Sequence, residues 1–165
     1  MSEEELKNIL MEVWERVKED YYYPLVNDPE LIDSFNLIDP NLPDTASFDY
    51  LARNIYVSKE FINELVREGA DIRKVLDGIL SHEISHYTWF PYSLATQLTL
   101  QAFLDEKFGN KGHSICAYYI DAVVNSRNAL RERRRDGLVE LCLLYTSDAA
   151  DEGLGVDLGG CRIIK

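Results

Sequence analysis

The residues best equipped for chemistry lie in one short segment, Ser81-His82-Glu83-Ile84-Ser85-His86-Tyr87. Two imidazoles stand four residues apart, with a carboxylate directly after the first. On an α-helix a step of four returns to nearly the same azimuth, so His82 and His86 can offer ring nitrogens to one tetrahedral zinc ion. Glu83 sits about a hundred degrees round from His82, where its carboxylate reaches a water on the metal rather than the metal itself. Residue types in this pattern point to water activation: zinc acidifies the water it binds and Glu83 takes the proton.

Such a pattern works only on a helix. Residues 70–80 run into it without a proline, and Asp71 is placed to cap the helix start. Leu76, Leu80 and Ile84 recur at steps of four opposite His82, which predicts one face turned to the core and one carrying the ligands. Ser85 is small and uncharged and leaves room for another segment to approach the metal.

Zinc held by two histidines needs a third protein ligand and an open position. Residues 114–135 read as a helix with a core stripe through Cys116, Ile120 and Val123, interrupted at Arg127 and resumed at Leu130. Asp121 and Asn125 sit four apart on its flank. Asp121 is the preferred third ligand, and Asn125 is the group one turn on that orients a ligand histidine by hydrogen bonding. Asp105, Glu106 and His113 remain open as alternatives. The arginines at 127, 131, 133, 134 and 135 suit the negative end of the helix dipole and read as a solvated run.

The remaining elements must position these residues, the first as scaffold and the others as core or as walls of the cleft. Leu6, Ile9, Leu10, Val13, Trp14 and Val17 predict an amphipathic helix over residues 3–20, ended by Tyr21-Tyr22-Tyr23-Pro24. Residues 24–46 read as a wrapping connection with at most a short helix from Pro29 to Phe35. Asn54-Ile55-Tyr56-Val57-Ser58 is the best strand candidate. Ser58 then caps a short helix that buries Phe61, Ile62 and Leu65 and stops at Gly69. Tyr87 to Tyr92 is dense in aromatics and broken by Pro91, and residues 93–108 predict a further helix ended by Gly109-Asn110. The fold class expected is α+β, predominantly helical, in a single domain with a small sheet ahead of the motif helix.

With His82, Glu83 and His86 followed by Asp121-x-x-x-Asn125, the chain resembles the gluzincin metallopeptidases. These carry a zinc-binding acid on a second helix and a hydrogen-bonding acid four residues on. The stretch from Ile55 through His86 looks especially like the compact, soluble minigluzincins, and the resemblance covers roughly residues 47–130. It departs where Asp121 replaces a glutamate and Asn125 an aspartate; the shorter acid requires the two helices to stand closer. The resemblance implies a zinc-dependent peptidase acting on peptide or protein substrates. It also implies an edge strand, Ile55, Tyr56 and Val57, that borders the cleft and pairs with an extended peptide.

Composition sets bounds on this reading. The chain has 165 residues, 46% of them hydrophobic and 28% charged, enough for one domain with a moderate core. A net charge of −12 argues against nucleic acid as a partner. The acidic N-terminus does not resemble a signal peptide and no run is long enough to span a bilayer, so a cytoplasmic protein without a membrane role is expected. Residues 142–165 resemble the in-frame translation of a sequencing-library adapter. The expected native domain is therefore residues 1–141, incomplete at its C-terminus, with 142–165 a non-native tail. Without that tail the charge is −10 and Cys116 is the one cysteine left, in keeping with a reducing compartment. Two other classes stay open: a catalytically inactive zincin-like module that binds zinc or a protein, and an acidic helical interaction module in which the histidines are incidental.

Overall fold

The computed structural model describes residues 2–37 and 45–130. The expectations about residues 131–165, the distal arginines and the tail among them, lie outside the described residues. Among the described residues, five α-helices carry a small three-stranded sheet, an α+β fold that is predominantly helical.

Helix α1 (Glu3–Asp20) starts at Ser2, whose hydroxyl accepts from the Glu5 amide, and three glutamates occupy its first turn, where the helix dipole favours anions. Its stripe of Leu6, Leu10, Val13, Trp14 and Val17 is buried against α3 (Ile72–Thr88), where Leu76, Leu80 and Ile84 have no exposed surface. Each such leucine contributes about 1.5–3 kcal/mol by leaving water. The core closes with Ile55, Val57, Ile62 and Leu65 from the sheet and α2 (Lys59–Arg67). Arg16 and Asp77, 3.0 Å apart, pin α1 to α3 at the surface.

Strand β3 (Asn54–Ser58) lies in the middle of the sheet, parallel to β1 (Glu30–Ile32) on one side and antiparallel to β2 (Ala46–Asp49) on the other. This corrects two expectations. The stretch read as a wrapping connection with at most a short helix from Pro29 to Phe35 instead supplies β1 at Glu30–Ile32, followed by a 3-10 turn at Phe35–Leu37. Ile55, Tyr56 and Val57 do not form the edge, because β3 is bonded on both sides; the border strand on the α3 side is β2. The β2–β3 turn is held by the Asp49 carboxylate, which accepts from the amides of Leu51 at 2.7 Å and Ala52 at 3.0 Å.

The Ser58 hydroxyl accepts from the Phe61 amide at 3.2 Å and caps α2, with Ile62 and Leu65 buried and Phe61 half-buried. Replacing Ser58 by Ala is expected to cost about 1 kcal/mol of stability, read as a lower urea midpoint at unchanged slope; an unshifted midpoint would show that the cap contributes nothing.

Helices α4 (Leu94–Phe108) and α5 (Gly112–Leu130) form a hairpin joined by a single 3-10 turn. Gly112 sits against α4, where a Cβ would meet the Asp105 amide nitrogen at 2.5 Å. The periodicity that predicts α4 does not bury it: Leu104 is its buried residue, and Leu98 and Phe103 are more than half exposed. Among the described residues no helix is long and apolar enough to cross a membrane.

Candidate metal centre

Helix α3 is buried almost all round from Val75 to Ser85, so the expected division into a core face and an open ligand face gives way to a helix enclosed by α1, the sheet and α5. Its Asp71 cap is as expected, the carboxylate accepting from the Arg73 amide. On α5 the buried stripe runs through Gly112, Cys116, Ile120, Val124 and Asn128; it holds the predicted Cys116 and Ile120 and departs from the prediction after them, with Val124 and Asn128 in place of Val123 and Leu130. Val123 is only half-buried, Leu130 is exposed, and the Arg127 guanidinium lies over the Trp89 ring, its Cζ 3.5 Å from the centroid.

Asp121 and Asn125, beside this stripe, face α3 as expected. His82 Nε2 and His86 Nε2 are 3.1 Å apart, and Asp121 Oδ1 lies 3.5 Å from the first and 3.7 Å from the second. Among the described residues these three form a group able to hold a metal ion. The alternatives are elsewhere: Asp105 and Glu106 are exposed on α4, Asp105 accepting from Gln101, and His113 is exposed in the first turn of α5 rather than in a loop.

The hydrogen bonds around the rings fix what the three atoms offer. Asn125 Oδ1 faces His82 Nδ1 at 2.8 Å, and the Phe90 carbonyl faces His86 Nδ1 at 3.3 Å. Both oxygens can only accept, so each Nδ1 carries the hydrogen and each neutral ring presents an Nε2 lone pair. Two such lone pairs and a carboxylate at these separations repel one another unless a cation lies between them. The separations suit zinc: ligand atoms about 2.0–2.1 Å from a tetrahedral ion stand roughly 3.3–3.4 Å from one another, and these three atoms are 3.1, 3.5 and 3.7 Å apart.

Titration reflects the same crowding. Burial opposes a charge on His82, yet its hydrogen bond to Asp121 and the carboxylates of Glu83 and Asp121 outweigh that and raise it to about 9. Burial and the neighbouring His82 charge lower His86 to about 4. Without metal, one proton on His82 therefore stands where a cation would. Glu83 is 6% exposed, and burial raises its carboxyl to about 7, with the Asp121 charge adding to the rise and His82 and a bond from the Phe48 amide opposing it. Among the described residues no lysine or arginine pairs with it.

That amide belongs to β2. Ser58 donates to the Thr45 carbonyl, which makes 45–58, 47–56 and 49–54 the bonded pairs of the β2–β3 ladder. Ala46 and Phe48 therefore turn their amides and carbonyls away from β3, the Phe48 amide close enough to Glu83 to favour its charged form. Tyr50 follows, its hydroxyl donating to the His86 carbonyl at 3.3 Å; burial and the nearby Glu83 charge raise this phenol. The Phe48 ring stacks on Tyr87 at 5.5 Å.

Sequence reasoning misses two residues that bind α3 from behind, Tyr21 and Asn128. Tyr21 extends the α1 stripe of Leu6, Leu10, Val13 and Val17 by one more step of four, a signal available in the sequence. Asn128 continues Cys116, Ile120 and Val124 in the same way. Comparison with protein-family models, with curated proteins and with solved structures gave no match.

Proposed function

We propose that the protein is a zinc-dependent peptide hydrolase of the gluzincin kind, in which His82 Nε2, His86 Nε2 and Asp121 Oδ1 hold the ion. The observation that carries this reading is the convergence of three lone-pair donors at zinc-ligand separations, with a buried carboxylate on the residue after the first histidine. When bound, zinc supplies Lewis acidity toward water and a peptide carbonyl.

The protein's own groups do the rest. Asn125 Oδ1 holds the hydrogen on His82 Nδ1 and so keeps the ring turned toward Asp121. The Glu83 carboxyl, near 7, is poised both to accept a proton from water and to release it to a leaving amine nitrogen. Beside it, the outward carbonyls of Ala46 and Phe48 and the outward Ala46 amide offer main-chain bonds to an extended peptide, the role expected of Ile55 to Val57. A pool of fluorogenic peptides incubated with the zinc-loaded protein, with and without chelator, tests the reading. Chelator-sensitive cleavage is expected. Stoichiometric zinc with no cleavage leaves a zinc-binding module, and no zinc affinity removes the metal centre.

Zinc affinity is expected to rise with pH up to about 9. Below that value His82 carries a proton that the ion must displace, so each unit of pH lost weakens binding by up to about tenfold, whereas above it the dependence vanishes. Competition against a chelating chromophore at pH 6, 7 and 8, corrected for protonation of the chromophore, checks the sign. A flat profile would contradict it.

A further inference from the structure

Asn128 is completely buried, the last residue of the α5 stripe, and its carboxamide points into α3 rather than into apolar packing. Its Oδ1 accepts from the Tyr21 hydroxyl at 2.9 Å and lies 3.0 Å from Ser85 Oγ, whose one hydrogen is shared with the Ser81 carbonyl at 2.6 Å, while its Nδ2 donates to the Ser81 carbonyl at 3.1 Å. Tyr21, at the end of α1, also reaches Ser85 Oγ at 2.9 Å and the Ser81 carbonyl at 3.1 Å. Three helices thus meet in one polar cluster sealed from water. A buried amide left without partners is costly, so this cluster tolerates only one relative placement of α3 and α5.

The cluster is in phase with the ligands. Asn128 follows Asp121 by seven residues, two turns along α5, and therefore projects from the same face. Ser81 and Ser85 precede His82 and His86 by one position each. Along the α3–α5 contact the order is ligand Asp121 on the histidines, Asn125 on His82 Nδ1, then Asn128 on the serines. Small serine side chains let the two backbones approach, and the bond from Nδ2 to a main-chain carbonyl sets how close they come. A close approach is what an aspartate ligand needs, being one carbon shorter than a glutamate.

We infer that Asn128, backed by Tyr21, is a positioning residue that fixes the α3–α5 separation at which Asp121 can complete the ligand set. This role rests on the metal reading proposed above. The test uses the full chain and five proteins: wild type, Asn128→Ala, Asp121→Ala, the double variant and His82→Ala. Zinc affinity is measured by chelator competition, the visible spectrum is recorded with Co2+ in place of zinc, and circular dichroism confirms folding of the metal-free proteins.

Asn128→Ala is expected to lower zinc affinity about 10- to 100-fold, in the range seen for outer groups that orient ligands. Its cobalt spectrum should match that of Asp121→Ala. In the Asp121→Ala background it should have no further effect, because a residue that acts through Asp121 has nothing left to place. Wild-type zinc affinity in a folded Asn128→Ala protein, or a loss that adds in full to that of Asp121→Ala, would overturn the inference while leaving the metal centre standing. A wild type that binds zinc no better than His82→Ala would overturn both. If Asn128→Ala does not fold, Tyr21→Phe, which deletes a single hydroxyl and keeps the ring, carries the same comparison: a loss of several-fold that disappears in the Asp121→Ala background supports the role, and an unchanged affinity refutes it.

Discussion

Replacing Glu83 by Gln is expected to leave zinc binding intact and to lower peptide hydrolysis by about 10²- to 10⁴-fold, the usual contribution of a positioned general base. The amide has nearly the shape of the carboxylate, so packing against Phe48 and Tyr50 persists. What it lacks is the capacity to hold a proton, and Glu83 is suited to that task because burial brings its carboxyl to about 7. The same substitution removes a negative charge that helps hold the proton on His82, so the zinc affinity of the variant below pH 9 should be equal to or higher than that of wild type. Measuring kcat/KM and zinc stoichiometry on the same preparation separates the two effects. Turnover retained within a few-fold would dismiss Glu83 as the base.

The second large effect is expected from His86→Ala, which should weaken zinc binding by about 10²-fold or more. Structural zinc sites bind with roughly 10–16 kcal/mol in all, so a single ligand among four represents about 3 kcal/mol. His86 gives the cleanest reading of that loss because it is held down to about 4 and is proton-free at neutral pH. Removing it discards a ligand without also discarding a competing proton, as His82→Ala would. Equilibrium dialysis at pH 7.5 checks this, and affinity within threefold of wild type would place the ion, if any, elsewhere.

The candidate ligands are legible in the sequence because helical spacing is a local property. His82 and His86 at a step of four, and Asp121 and Asn125 at the same step, lie on one face of their helices wherever those helices go, and the structure brings the two faces together. Sheet order is not legible. The β-branched run at 54–58 announces a strand, but whether it is central depends on Glu30–Ile32 and Ala46–Asp49, three and four residues long and weak in strand-formers. Nothing local distinguishes a border from a middle. Periodicity likewise yields α4 without its exposure, since Leu94 and Leu98 recur at a step of four as core residues do and yet are exposed. Asn128 escapes notice because a polar residue at the end of an apolar stripe reads as the point where the helix leaves the core. In the structure it is the point where the helix is fastened.

Along the border of the sheet the outward main-chain groups fall at every second residue, Ala46 and Phe48. An extended chain laid along β2 would meet the amides and carbonyls of these two residues alone within the strand. Its frame would be counted in steps of two, so main-chain spacing rather than side-chain identity would set which of its carbonyls comes to rest near the histidines.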